Sequence, residues 1–222
     1  DGRILGGSTE DLERLLVAIR MHLPWITRVG MFGDGRALGA KTVLELRRLH
    51  HLGLEVVHHG VDTGDEMTRR RVRKRGTYAE CVETAEKLRE ADIIHSVVVM
   101  LGAGGRDRSA IHAHETARLL SEMDPPRVAM LTATIHPNTP LAHDAELGRF
   151  VLPGRFELLE ELYTIIDESE LSKCLFSAHH VSNPLPLKAQ LPDDRKVLLQ
   201  VLDEFLELRD PDTLAPDWLR AS

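Results

Sequence analysis

The chain is poor in cysteine. Only Cys81 and Cys174 occur in 222 residues, and neither belongs to a paired motif. That excludes a disulfide framework or a four-cysteine metal site, and it leads us to expect a reducing, cytoplasmic setting in which both thiols are small buried residues. Positive charge is also short: the formal net charge of -7 argues against a broad nucleic-acid or anionic-membrane surface. The one basic run, Arg69-Arg70-Arg71-Val72-Arg73-Lys74-Arg75, has no aromatic residue within it to stack on bases, in a chain only 4% aromatic. No apolar run approaches the roughly 18–20 residues that span a bilayer. What remains is ordinary for a globular protein, 42% hydrophobic and 28% charged, in a length suited to one α/β domain with a sizeable core.

Glycine and polar residues gather at the ends of candidate strands. Five such runs are Ile4–Gly7, Met31–Gly35, Val56–Gly64, Val97–Gly105 and Ala133–Leu141. Helical patterns lie between them. Ser8-Thr9-Glu10-Asp11 is a helix start, followed by Leu12, Leu15, Leu16, Ile19 and Leu23 at helical spacing, and Pro24 stops the run. Trp25–Phe32 reads as a strand, about Ala40–Leu52 as a helix ended by Gly53, and Leu54–His59 as a strand. Thr77-Tyr78-Ala79-Glu80 is a capping box for a helix through Cys81, Ala85 and Leu88. Ile93–Leu101 is a β-branched strand apolar on both faces, Ser109–Met123 a helix stopped by Pro125-Pro126, and Val128–Ile135 a strand. Beyond these come a helix over Arg155–Asp167, a possible sixth strand at Cys174–Ala178, a Pro-rich loop over Pro184–Pro192 and a helix over Asp193–Leu208.

Strand-then-helix alternation predicts a parallel sheet, with function at the strands' C-terminal ends. We expect residues 1–150 to form a partial βα barrel and 151–222 a helical extension packed on it. Strand-like sequence begins at Arg3-Ile4-Leu5 without an initiator methionine, so N-terminal residues are expected to be missing.

Several residues carry two readings. Gly6-Gly7 lets a ligand approach the backbone before a helix N-terminus, or is a plain strand-to-helix turn. Asp62 and Thr63 offer an acceptor and a hydroxyl suited to a ribose, or form a turn and cap before Glu66. Arg75 offers a guanidinium fork matched to a carboxylate, or is part of a solvated basic face. The histidines invite a metal reading: His59, His136, His179 and His180 near one rim, with Asp62 or Asp34 as base, would suit a metal-dependent barrel hydrolase. No three of them share a ligand-like spacing, so this chain is assigned no metal ligands. His112 and His114 are expected on an exposed helix.

In order and spacing these runs resemble the radical S-adenosylmethionine (SAM) superfamily. Gly6-Gly7 matches its glycine pair after the second strand, Gly60-Val61-Asp62-Thr63-Gly64-Asp65 its segment at the end of the fourth, and Lys74-Arg75-Gly76-Thr77 the basic-Gly-Thr stretch that follows. Val99–Gly102 is similar to its glycine-ended fifth strand, and Thr139-Pro140-Leu141 to the segment after the sixth. His180-Val181-Ser182-Asn183 and Pro184–Pro192 resemble the tail of a branch called Fe–S oxidoreductases. The resemblance covers roughly Arg3 to Leu208.

It implies a partial (βα)6 TIM-like barrel lacking its first βα unit, with SAM and a [4Fe–4S] cluster as cofactors. Reductive cleavage of SAM would give a 5′-deoxyadenosyl radical that acts on an unidentified small-molecule or peptide substrate. It assigns Gly6 and Gly7 to the cofactor's amino group, Asp62 and Thr63 to its ribose or amino-acid end, Arg75 to its carboxylate, and Leu101 and Gly102 to its adenine. The chain departs from the family in one decisive place, for it has no C-x-x-x-C-x-x-C triplet to hold three irons. It also has Asp62 and Thr63 where Glu and Ser are commoner. An inactive fragment is therefore expected, with self-association through an open barrel edge and no nucleic-acid or membrane partner. The alternatives are a non-catalytic binding protein derived from the barrel and the metal hydrolase above.

Overall fold

The structure, a computed structural model, describes residues 4–216. A 3-10 turn at Ile4–Gly6 precedes α1 (Thr9–His22), β1 (Val29–Gly33), α2 (Gly35–Gly39), α3 (Val43–His51) and β2 (Leu54–Asp62). Then come α4 (Glu66–Arg71), α5 (Tyr78–Glu90), β3 (Ile94–Leu101), a 3-10 turn at Arg106–Arg108, α6 (Ser109–Met123) and β4 (Arg127–Thr132). The chain continues with α7 (Pro140–Glu146), α8 (Arg155–Glu168), β5 (Cys174–Ser177), β6 (Lys188–Leu191) and α9 (Arg195–Leu208), and ends on a 3-10 turn at Pro211–Thr213.

Local chemistry sets the helix starts. The Ser8 hydroxyl accepts from the Asp11 amide at 3.1 Å, and the Asp34 carboxylate from the Ala37 amide at 2.8 Å. Thr42 with Glu45 and Thr77 with Glu80 form reciprocal capping boxes at α3 and α5. Each such cap contributes about 1 kcal/mol.

The strands form one sheet in the order β1-β2-β3-β4-β5-β6, with β1 through β5 parallel and β6 antiparallel. Spatial order equal to chain order means that every crossover steps the same way, as in a βα barrel. The sheet does not close: among the described residues no ladder joins β6 to β1. Its helix-covered face carries Val57, His59 and Val61 from β2, Val97, Val99 and Leu101 from β3, Val128 and Met130 from β4, and Cys174 and Phe176 from β5, all buried. Each large apolar side chain so buried contributes about 2 kcal/mol. The other face stays open enough that Phe32 is 52% exposed and Leu175 36% exposed.

Three sequence expectations are corrected. Ile4–Gly7 is not a strand end: Ile4–Gly6 is a 3-10 turn whose Leu5 is buried against Gly33 and Leu38. Trp25 lies in an exposed turn, so the strand expected from Trp25 starts only at Val29. Lys188–Leu191, expected within a loop, is the antiparallel strand β6. Its connection to β5 is clasped by Asn183, whose Nδ2 donates to the carbonyls of Met130 at 2.7 Å and Ala178 at 2.8 Å. Ser182 completes the clasp by accepting from the Thr132 amide at 3.0 Å. The His-Val-Ser-Asn stretch therefore ties this loop to the end of β4. Residues 151–216 add α8, β5, β6 and α9 to the same sheet and core.

Candidate functional site

At the end of β1, Gly6 and Gly7 leave the turn before α1, and Asp34 caps α2 beside them. Together with Arg36, Lys41 and Arg75 they line an open groove of about 450 Å³. Lys41 is only 6% exposed, and its Nζ donates to the Gly7 carbonyl at 3.0 Å. Burial lowers its pKa, against the pull of Glu45. Arg75 is exposed and has no hydrogen bond or ion pair among the described residues. An unpaired guanidinium at a groove lip is a ready partner for a carboxylate.

The basic run does not form one solvated face. Arg69 is buried, and its Nη2 donates to the Thr63 carbonyl at 2.6 Å. Arg71 engages Asp107 at 3.1 Å, and Lys74 Nζ sits 2.7 Å from Asp62 Oδ2. Lys74 passes over Gly60, where an added Cβ would stand 2.9 Å from its Nζ and displace the end of the side chain. Asp62 itself adopts φ 65, a left-handed conformation that short polar side chains tolerate. The loop continues to Gly76, whose Cα stands only 3.9 Å from the point a Gly35 side chain would occupy. Residues 74–76 thus link the β1-end groove to the end of β2.

Thr63 faces inward. It is 0% exposed; its Oγ1 accepts from the Asp65 amide at 3.0 Å and lies 2.7 Å from His112 Nδ1. Asp65 caps α4 and takes both Nε and Nη2 of Arg108, at 2.8 and 2.9 Å. Burial opposes its ionisation, but the bonds from Arg108 and Thr68 hold its carboxyl well below the usual carboxylate range. At the end of β3, Leu101 is buried in the core. Gly102, at φ 79, donates its amide to Glu161 Oε2 at 2.6 Å, and a side chain there would press on Leu158 and Pro153.

Of the residues expected from sequence, the fold gathers Gly6, Gly7 and Arg75 around one groove and tethers Asp62 to it through Lys74. Thr63 and Leu101 are enclosed, and Gly102 meets α8. Sequence reasoning missed Lys41 as a groove residue and misplaced His112, which is buried, not exposed. Its signal was helical spacing: His112, Ala113, Thr116, Ala117 and Leu120 make one buried face of α6.

The thiols do not suit a cluster. Cys81 on α5 and Cys174 on β5 are both buried; burial raises the pKa of both, Cys174 to about 12. Three thiolates are needed and two buried thiols on separate elements do not supply them. The histidines do not converge either. His59 Nδ1 lies 3.1 Å from His95 Nε2 within the core, whereas His136, His179 and His180 are exposed. Among the described residues no three His, Cys, Asp or Glu side chains are grouped to hold a metal ion. Among them, too, no helix is long and apolar enough to cross a membrane.

Comparison with known proteins gives a fold and a family. The chain resembles the archaeal Methanocaldococcus infernus Elp3 with an N-terminal deletion, at TM-score 0.62 and 12% identity over 94% of this chain and 53% of that one. It resembles methylornithine synthase (PylB) at TM-score 0.55 and 14% identity, over 87% and 50% of the two chains. Coproporphyrinogen III oxidase (HemN) from Escherichia coli, described as a radical SAM enzyme, aligns at TM-score 0.56 and 14% identity over 73% and 37%. The chain thus spans about half or less of the length of these solved structures. No curated protein matches it in sequence. The family model for the radical SAM superfamily matches residues 6–120, more than half of the 222 residues. The chain belongs to the radical SAM superfamily, whose members use SAM and a [4Fe–4S] cluster.

Proposed function

We propose that this chain forms the SAM-side wall of an enzyme that cleaves SAM reductively. The observation that carries the reading is the groove at the end of β1, where Gly6, Gly7, Asp34, Lys41 and an unpartnered Arg75 converge. A methionine moiety presents a carboxylate and an ammonium side by side. Arg75 would take the carboxylate through its fork. The Asp34 carboxylate, which uses only Oδ1 to cap α2, would face the ammonium through its other oxygen. Gly6 and Gly7, without side chains, would let the group lie close to the backbone. Asp62, beside the same loop, would accept from ribose hydroxyls.

When bound, SAM supplies a sulfonium carbon–sulfur bond open to reduction, the chemistry that belongs to the cofactor while the protein binds and orients it. Two buried thiols do not offer a cluster's three thiolates, so electron delivery is assigned to no residue of the chain. The substrate class is not fixed by the fold.

The test is calorimetric titration of the chain with SAM. Saturable binding is expected, weakened about tenfold in Arg75→Ala, since a hydrogen bond to a charged group is worth about 1.5–3 kcal/mol. The thermal midpoint should be unchanged, because Arg75 has no partner to lose. Binding that ignores Arg75 would defeat the assignment.

A further inference from the structure

At the ends of β2 and β3 lies a buried polar chain to which the proposed binding gives no role. Glu161 on α8 is 2% exposed. Its Oε2 accepts the Gly102 amide at 2.6 Å and its Oε1 the Ser109 hydroxyl at 2.6 Å. His112 on α6 is fully buried, with its Nε2 3.8 Å from Glu161 Oε2 and without a hydrogen-bond partner. The other ring nitrogen, Nδ1, meets Thr63 Oγ1 at 2.7 Å. Thr63 Oγ1 already accepts the Asp65 amide at 3.0 Å, so its own proton is free for Nδ1. That assignment leaves the ring proton on Nε2, which faces the Met100 carbonyl and stands near Glu161 Oε2 without a hydrogen bond to it. Thr116, one turn beyond His112, takes the Gly64 amide at 3.0 Å. The chain therefore runs from the end of β2 through α6 to α8 and back to the end of β3.

Hydroxyl, imidazole and carboxylate stand in the order of a nucleophilic triad. Thr63 is wholly buried, so no substrate carbonyl can reach it, and the chain cannot act as one. Its ends are backbone groups of the two strand termini. Resting on the SAM reading above, we propose that Glu161 is a positioning residue: it fixes the Gly102 amide directly and acts on the Thr63–Asp65 segment through the field it exerts on His112, coupling the end of β3 to the end of β2, where Asp62 is read as the ribose acceptor.

A carboxyl in this position titrates within the accessible range. Burial pushes Glu161 up to about 7, against the bonds from Ser109 and Gly102 that favour its ionised form. The titratable groups facing it are His112 from α6 and Glu157 on its own helix, the latter adding repulsion. From β3 it meets only the Gly102 amide, and on the α9 flank Arg209 is engaged by Glu160. His112 is driven by burial down to about 4, so it is neutral where Glu161 titrates. Their contact is between dipole and charge, not an ion pair.

The test needs no cofactor. In the uniformly nitrogen-15-labelled chain, the Gly102 amide proton is expected to move downfield as pH rises, with a midpoint near 7, and the Gly64 and Asp65 amides to move with the same midpoint. Glu161→Gln should abolish all three movements. His112→Asn should abolish those of Gly64 and Asp65 and leave that of Gly102. Should Glu161→Gln fail to fold, the wild type and His112→Asn still decide: a Gly102 titration that Gly64 and Asp65 do not share overturns the coupling, as does no titration at all. SAM affinity is the second arm, expected to fall about tenfold in Glu161→Gln. Unchanged affinity in that variant overturns the positioning role. A wild type that does not bind SAM defeats the functional reading instead, while the amide titration still decides whether the strand ends are coupled.

Discussion

Gly64 shows how little freedom the binding rim has. A Cβ built on it would stand 2.0 Å from the Glu115 carbonyl oxygen and 2.4 Å from that carbonyl carbon. Both atoms belong to the backbone of α6, so no side-chain rotation relieves the clash. The glycine is there for packing between the β2 end and the helix, and it also places the Gly64 amide on Thr116. Gly64→Ala must push α6 away or break that bond. We expect it to cost about 1–3 kcal/mol, the range of an overpacked core position. The thermal midpoint of the variant is the measurement; an unchanged value would mean that α6 yields freely. The same residue shows what sequence could tell. A glycine after Asp62-Thr63 signals a tight strand end, and Asp62 does adopt φ 65. That Thr63 turns inward to a histidine 49 positions away was not readable, because only packing brings α6 there.

Between sheet and helices lie four titratable groups whose protonation differs from that of the unfolded chain. Burial drives His59 well below 6.5, His95 to about 3 and His112 to about 4, with neighbouring charges on His95 and Lys74 adding to the shift of His59. Glu161 goes the other way, from 4.5 to about 7. Between pH 4.5 and 6.5 the three imidazoles bind protons in the unfolded chain and not in the folded one, which makes stability rise with pH. Over the same window Glu161 is protonated when folded and ionised when unfolded, which makes stability fall with pH, by about 3 kcal/mol across its whole shift. Three groups outweigh one. Stability should climb from pH 4.5 and level off above about 7, where the imidazole and carboxyl contributions nearly cancel. In Glu161→Gln the climb should steepen. Urea unfolding at stepped pH reads this, and a wild-type profile falling from pH 4.5 to 6.5 would refute it.

Elements with strong local signals were readable where packing agreed with them. Ser109–Met123 follows its spacing to the residue because Leu119, Leu120 and Met123 all enter the core and Pro125 stops it. Lys188–Leu191 was not, since four residues among prolines carry too short an alternation. Its partner strand, not its own propensity, makes it a strand.

The molecule as a whole has one covered face and one open face. Phe32 stacks on His58 with ring centroids 4.9 Å apart, and Val98, Met100 and Leu131 lie along the same uncovered side. The parallel order was legible in the strand-then-helix alternation, whereas the division into a covered and an open face was not, because the β-branched run Ile93–Leu101 is apolar on both faces. That Gly6, Gly7 and Arg75 should lie near one another was an expectation of the family resemblance, and they line one groove. The burial of Leu101 was legible in its apolar strand, but the contact of Glu161 with Gly102 was not, because it depends on how α8 lands against β3, between residues 59 positions apart.

That architecture decides where iron can go. The two thiols project from α5 and from β5 into the helix-covered core, far from water and with their thiolates disfavoured by burial. A cluster needs three thiolates on one accessible edge, and it must also leave one iron open to SAM. Opening the core for Cys174 would expose neighbours such as Phe176 and Leu191, each worth about 2 kcal/mol of burial. Anaerobic reconstitution of this chain with iron and sulfide is therefore expected to give no cluster absorption, no bound iron or sulfide, and no 5′-deoxyadenosine on addition of SAM and a strong reductant. Stoichiometric iron and sulfide that disappear in Cys81→Ser or Cys174→Ser would show that the core opens after all, and would move electron delivery into the chain itself.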